Sequence, residues 1–157
     1  MLKLEDSLPT LAEPRTFAGL MELYESNYER LRRLIPEVPG QRRRVSRIPG
    51  ALDLHLEILE HHRYTTDLWL SYLFEDAGRG IAEPAVEIRL YHDARQAEAL
   101  ACSRRHEPAA SDRALESKWE INRFLNKWLG YCLSQGHRFA RRDGLSRATD
   151  EPLLSTI

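Results

Sequence analysis

Residues 86–102 read VEIRLYHDARQAEALAC, an alternating pattern broken at His92-Asp93. Val86, Ile88 and Leu90 fall on one side of an extended chain and Glu87, Arg89 and Tyr91 on the other. That two-residue period belongs to a strand with one buried face. The break decides how many strands there are. A tight hairpin at His92-Asp93-Ala94 calls for glycine or asparagine at positive φ, and neither is present. The reading is therefore one long strand that bends or bulges near Asp93 and resumes through Ala97 to Cys102, with two consecutive strands as the alternative. Neighbouring strand residues point to opposite faces, so His92 and Asp93 do not form a histidine–carboxylate dyad. Asp93 is expected to accept hydrogen bonds from backbone freed at the bend, with His92 partly buried.

The same period runs upstream. Leu52, Leu54, Leu56 and Ile58 alternate with Ala51, Asp53, His55 and Glu57, and Pro49-Gly50 marks a turn before them. If Ile48 faces Ala51, Val45 lies opposite Leu54 on the inner face. The outer face then pairs Ser46 with Asp53, Arg44 with His55, and Arg42 with Glu57. In YTTDLWLSYLF (64–74), Tyr64, Thr66, Leu68, Leu70 and Tyr72 share one face, and Thr65, Asp67, Trp69 and Ser71 the other. EDAGRGIAEP (75–84) reads as a surface loop.

Helical spacing flanks these strands. Thr16 can cap a helix in which Phe17, Leu20, Tyr24, Tyr28, Leu31 and Ile35 recur, and Pro36 stops it. Ser111 or Asp112 can cap a second helix, whose stripe is Leu115, Trp119, Leu125, Trp128, Leu129 and Cys132 and whose stop is Gly136. Asn122 and Asn126 suit its surface or hydrogen bonds between helices. The expected fold is α+β with two layers. A four- to five-stranded antiparallel meander packs its even-numbered face under an N-terminal and a C-terminal helix.

The chain has 157 residues, 30% of them charged, a net charge of −1 and two cysteines. One soluble domain suits that length and composition. It is placed at 16–137, between a flexible N-terminal lead-in (1–15) and a flexible, arginine-rich C-terminal tail (138–157). The lead-in, MLKLEDSLPTLAEPR, lacks the apolar core of a signal peptide. No apolar run reaches the roughly 20 residues that span a bilayer, so no membrane partner is expected. Cys102 and Cys132 sit in apolar patterns and read as buried thiols of a cytoplasmic protein.

Several segments together resemble a known family. RLYHDA (89–94), AEALAC (97–102) and INRFLNKWLGYCLSQGH (121–137) are similar to the YqiB-like family of short proteobacterial proteins, a domain of unknown function. SNYERLRRLIPE (26–37) and RYTT (63–66) fit the same pattern. The likeness covers roughly residues 17–137. It implies family membership and brings no catalytic residue or cofactor with it.

The residues suggest where a site could lie. Extending the register across the third and fourth strands sets Asp67 beside His55 and Trp69 beside Arg89, with Tyr91 facing Asp67 and Asp93 facing Thr65. One face would then carry Arg44, His55, Asp67, Trp69, Arg89, Tyr91 and Asp93. Indole and guanidinium can stack there, and the arginine can take an anion. The first expectation is a non-enzymatic binding or regulatory module that uses this face for a protein partner or a small anionic ligand. The face would serve equally as a homodimer interface. One alternative is nucleic-acid binding through the basic strand Arg42–Arg47, a run that otherwise protects a sheet edge from pairing. The other is a small hydrolase of nucleotides or phosphoesters, with His55 as base, Asp67 orienting it and Arg89 holding the anion. No motif asks for a cofactor, no catalytic constellation stands out, and His61-His62 lacks the spacing of a metal site.

Overall fold

The computed structural model describes residues 15–76, 79–103, 114–140 and 149–150. Helix α1 (Phe17–Leu34) leads into strands β1 (Arg43–Ser46), β2 (Asp53–His61), β3 (Thr65–Asp76), β4 (Arg79–Tyr91) and β5 (Gln96–Ser103). Helix α2 (Ala114–Ser134) and a two-residue strand β6 (Thr149–Asp150) follow. The strands lie in the order β5-β4-β3-β2-β1-β6, each pair antiparallel. The fold is the expected α+β meander with one helix at each end.

Parity holds through the centre of the sheet. Leu54, Leu56, Ile58, Leu68, Leu70, Tyr72, Val86, Ile88 and Leu90 are buried together with Leu31, Leu34, Trp128 and Leu129 of the helices. Thr16 caps α1, its Oγ1 accepting from the Gly19 N–H at 3.0 Å. Gly136, at φ 99°, follows the end of α2 as the left-handed stop. Ser111 and Asp112 lie outside the described residues.

The helices reach the sheet mainly at β5, where Ala97 and Ala99 are small enough to let them approach. Both alanines turn backbone groups away from β4, and asparagines answer them. The Ala99 N–H donates to Asn122 Oδ1 at 2.7 Å. Asn27 Nδ2 donates to Asn122 Oδ1 at 3.2 Å and reaches the Ala97 carbonyl at 3.5 Å. Asn126 Nδ2 donates to Asn27 Oδ1 at 3.1 Å and to Ser26 Oγ at 2.8 Å. Asn27, Asn122 and Asn126 are all buried.

Three expectations change. Residues 86–102 form two strands joined by the four-residue turn 92–95, not one bent strand. Arg95 supplies the positive φ (57°) that glycine would normally take, and its N–H closes the turn on the Tyr91 carbonyl at 2.9 Å. Left-handed geometry costs a non-glycine residue roughly 1–2 kcal/mol, offset in part where the Arg95 guanidinium lies over the Tyr28 ring, 5.0 Å from its centre. Of the segment 75–84, expected as a surface loop, the described residues 75–76 and 79–84 belong to strands, because β3 and β4 keep pairing out to Asp76↔Arg79.

The third change concerns β1. Ile48-Pro49-Gly50-Ala51 is a turn with the Ala51 N–H on the Ile48 carbonyl at 3.0 Å and Gly50 at φ 84°. That is type II geometry, which splays flanking strands instead of continuing their ladder. Pairing resumes one step out of the expected register, with Arg44↔Leu56, Val45↔His55 and Ser46↔Leu54. A one-residue slip flips every side chain. Arg44 and Ser46 therefore face the helices, and Val45 faces the other side; all three are buried. The chain after α2 meets them: His137 Nδ1 pairs with Ser46 Oγ at 2.8 Å, and Arg44 Nη1 donates to the Ala140 carbonyl at 3.1 Å. Phe139 is in the core, and its N–H donates to the Leu34 carbonyl at 2.8 Å. Core packing thus continues beyond residue 137.

Replacing Asn122 by leucine leaves the Ala99 N–H and the Asn27 amide without their buried acceptor. We expect a loss of roughly 2–4 kcal/mol in urea-unfolding free energy; a loss below about 0.5 kcal/mol would mean the network is dispensable. Burial holds the imidazoles of His137 and His92 below the ordinary histidine pKa. Both take up a proton at lower pH in the fold than in the unfolded chain, which titrates at about 6.5. Stability is therefore full above that value and declines as pH drops from it towards the lower folded-state values. The thermal midpoint should fall between pH 7.5 and 5.5, by less in His137→Asn, which keeps a partner for Ser46 without the titration.

Candidate functional site

The helices occupy the even-numbered side, so the odd-numbered side of β2, β3 and β4 is the outer face. Its residues come from strand alternation alone. Trp69 sits directly between two carboxylate residues, opposite Glu57 on β2 and Glu87 on β4. It is half-buried, unlike Trp119 and Trp128, which are core. Arg43 reaches Glu57 at 3.6 Å from the far side. Among the described residues Glu87 has no cation within ion-pair distance.

One step along β3, about 7 Å away, Asp67 faces Arg89 and takes a two-pronged bond from it. Nε donates to Oδ1 at 2.8 Å and Nη2 to Oδ2 at 3.0 Å. The hydrogen bonds to Asp67 and Tyr91 raise the Arg89 pKa further above its already high value. Tyr91 donates to Glu98 Oε1 at 2.9 Å, and burial with that bond raises its pKa. Glu98 also accepts from Tyr24 of α1 at 3.4 Å and from Lys118 of α2 at 3.4 Å. A polar row, Asp67–Arg89–Tyr91–Glu98, thus crosses three strands and ends against both helices.

The expected face is brought together in part. Asp67, Trp69, Arg89 and Tyr91 share it, but Trp69 does not face Arg89, and Tyr91 faces Thr65. His55 lies opposite Ser71, four residues from Asp67 along β3, or about 13 Å. The base–orienter pair drawn for a hydrolase is therefore not formed. Asp93 is exposed in the β4–β5 turn, off the sheet face, because the chain has already reversed there. Arg44 is on the opposite face, buried against Ala140, as the β1 register requires. Glu98 escaped the sequence reading because Tyr91 and Glu98 become neighbours only across a hairpin.

The chemistry of the face follows from its charges. Arg43, Arg47 and Arg89 are each held by a carboxylate, the second by Asp53 at 3.3 Å. Of the other two arginines in the basic strand, Arg42 is exposed and Arg44 is interior. An aromatic ring flanked by carboxylates favours a cation over an anion. Among the described residues no three His, Cys, Asp or Glu are grouped to hold a metal ion, and no helix is long and apolar enough to cross a membrane.

Comparison with known proteins finds a family and no activity. The pattern of a family described as "Protein of unknown function (DUF1249)" matches residues 30–138. Proteins called "Uncharacterized protein YqiB" from Escherichia coli strain K12 and from Escherichia coli O157:H7 are each 34% identical over 132 residues, spanning 76% of this chain and 90% of theirs. No solved structure matches.

The Asp67–Arg89 pair is half-open to water, so its strength is set by two-pronged geometry more than by burial. A double-mutant cycle on Asp67→Asn and Arg89→Gln should give a coupling of about 1 kcal/mol. A coupling near zero would show that the two side chains do not hold each other in solution.

Proposed function

The chain belongs to the DUF1249 family, and from its outer sheet face we propose that it is a non-enzymatic binding module for a protein partner. The partner presents an arginine or lysine to Trp69. The observation that carries this reading is the indole set between Glu57 and Glu87, with no cation on Glu87 among the described residues. A guanidinium or ammonium laid on the ring would gain roughly 0.5–1 kcal/mol when exposed, and more as the contact dries. The flanking carboxylates add charge-assisted hydrogen bonds.

This sharpens the broader expectation of a protein or a small anion. The anion loses support because Arg89 is committed to Asp67. Nucleic-acid binding loses support because the arginines of 42–47 do not form one open stripe. The module works in a reducing cytoplasm on this reading; Cys132 is buried and its thiol is pushed up to about 12, which suits an inert core position.

The test is titration with an arginine-rich peptide at low salt, followed by Trp fluorescence and calorimetry. Trp69→Ala and Glu87→Gln should each weaken binding by about tenfold, close to 1.4 kcal/mol, while the thermal midpoint moves by less than about 3 °C. Unchanged affinity, or unfolding on either substitution, would remove the proposal. Self-association that Trp69→Ala abolishes would replace it with a homodimer.

A further inference from the structure

Beyond the outer face, the end of the sheet where α1 stops collects a second set of groups. Arg32, in the last turn of α1, donates through Nη1 to the Tyr28 hydroxyl at 3.2 Å, and its guanidinium carbon lies 5.9 Å from the ring centre. Arg95, from the β4–β5 turn, lies 5.0 Å from the same centre. Both arginines are exposed, and neither meets a carboxylate among the described residues. Tyr28 itself is buried, so both guanidinium groups are tied to one fixed ring, Arg32 through its hydroxyl and Arg95 over its face, with the remaining N–H groups of each left for a ligand.

Two imidazoles stand at the same end. A bulge between Ile58 and Glu60 shifts the alternation of β2, which sets His61 opposite Thr66. The buried Thr66 hydroxyl lies 2.7 Å from His61 Nδ1 and 2.8 Å from His92 Nε2. The two rings meet edge to face at 6.1 Å. With Nε2 on Thr66, His92 keeps Nδ1 for another partner. Burial lowers the His92 pKa first, then the charges of His61 and Arg32; Asp93 alone opposes them. Arg32 is therefore near enough to His92 to bear on its charge.

Arg95 reaches this ring from a turn position with φ 57°, one that glycine adopts without strain, so its side chain is held there by the hairpin geometry and by Tyr28 together.

We propose that Arg32, Arg95 and His92 form a binding site for a phosphate-type dianion, carried on a small molecule or free in solution. The two guanidinium groups hold the oxygens, and His92, steadied through Thr66 and His61, donates or accepts at its remaining nitrogen. The site does not involve Trp69 and stands or falls apart from the outer face.

The test uses inorganic phosphate and pyrophosphate against chloride of equal ionic strength, read from backbone amide and imidazole resonances by NMR. Saturable shifts at His92 and Arg95 are expected, with the His92 pKa rising as the anion binds. Arg95→Gly, which keeps the turn, and Arg32→Gln, which keeps a donor to Tyr28, should each weaken phosphate binding at least about tenfold. Equal shifts with chloride, no saturation, or unaltered affinity in Arg95→Gly would overturn the assignment. Phosphate binding that pyrophosphate outcompetes would extend it to phosphate esters of larger molecules; pyrophosphate binding no tighter would restrict it to the free ion.

Discussion

The outward backbone of β5 is the constraint on which this structure depends. An edge strand with open N–H and C=O groups invites another strand. Here the Ala99 N–H and the Ala97 carbonyl are met by Asn122 and Asn27, side chains that take the place of a neighbouring strand. Asn126 closes the set by donating to Asn27. Buried amides of this kind are costly when half-satisfied and specific when complete. They bind both helices to one edge and one face together. Neither of the two helices among the described residues covers the odd-numbered face as a result, because both are committed elsewhere; at the β1 end Val45 is nevertheless fully buried on that side.

Departures from regular pairing then shape what the faces present. The bulge near Leu59 turns His61 to the side of Thr66, where strict alternation would have sent it to the other side. Pro84 falls where the β3–β4 ladder slips between Ser71 and Leu73, a position that needs no N–H. The 92–95 turn sets Leu90 opposite Ala97 and Ile88 opposite Ala99, which lie beneath the helices, while Glu98 meets Tyr91; a slip between Glu87 and Ile88 then moves the pairing on to Val86↔Cys102. The bulge and the turn thus place polar groups, His61 and Glu98, that a uniform ladder would have misdirected.

The same irregularities mark how far the sequence could be read. Parity from Leu54 to Leu90 was legible, because period-two burial is a local signal, and it put Asp67, Trp69, Arg89 and Tyr91 on one face, as the strands do. Thr16 and Gly136 were legible for the same reason: each acts within its own turn. Asn122 and Asn126 were legible only as surface or interhelical groups, and Asn27 not at all, because their partners lie on other elements. The β4–β5 hairpin was not legible, since its turn residue is an arginine whose left-handed cost is offset in part by a contact with Tyr28, far earlier in the chain. The face of Arg44 was not, since a type II turn offsets β1 and the residues that bury it, His137 to Ala140, come from the far end of the sequence. The outer face was thus legible at its centre and misread at its margins, where neighbours are set by tertiary contact.

A net charge of −1 describes neither surface. Charges separated by more than about 8–10 Å are largely screened from one another at physiological salt, so a ligand responds to its local set. Around Trp69 that set is Glu57 and Glu87, with Arg43 drawn towards the first. Around Tyr28 it is Arg32 and Arg95, with two histidines behind Thr66. β4 contributes to both, through Glu87 on the face and through the turn that follows Tyr91. The Arg89–Asp67 pair stands between them and neutralises its own charge. A near-neutral chain can therefore carry two surfaces of opposite preference on one strand, because the residues between them cancel locally.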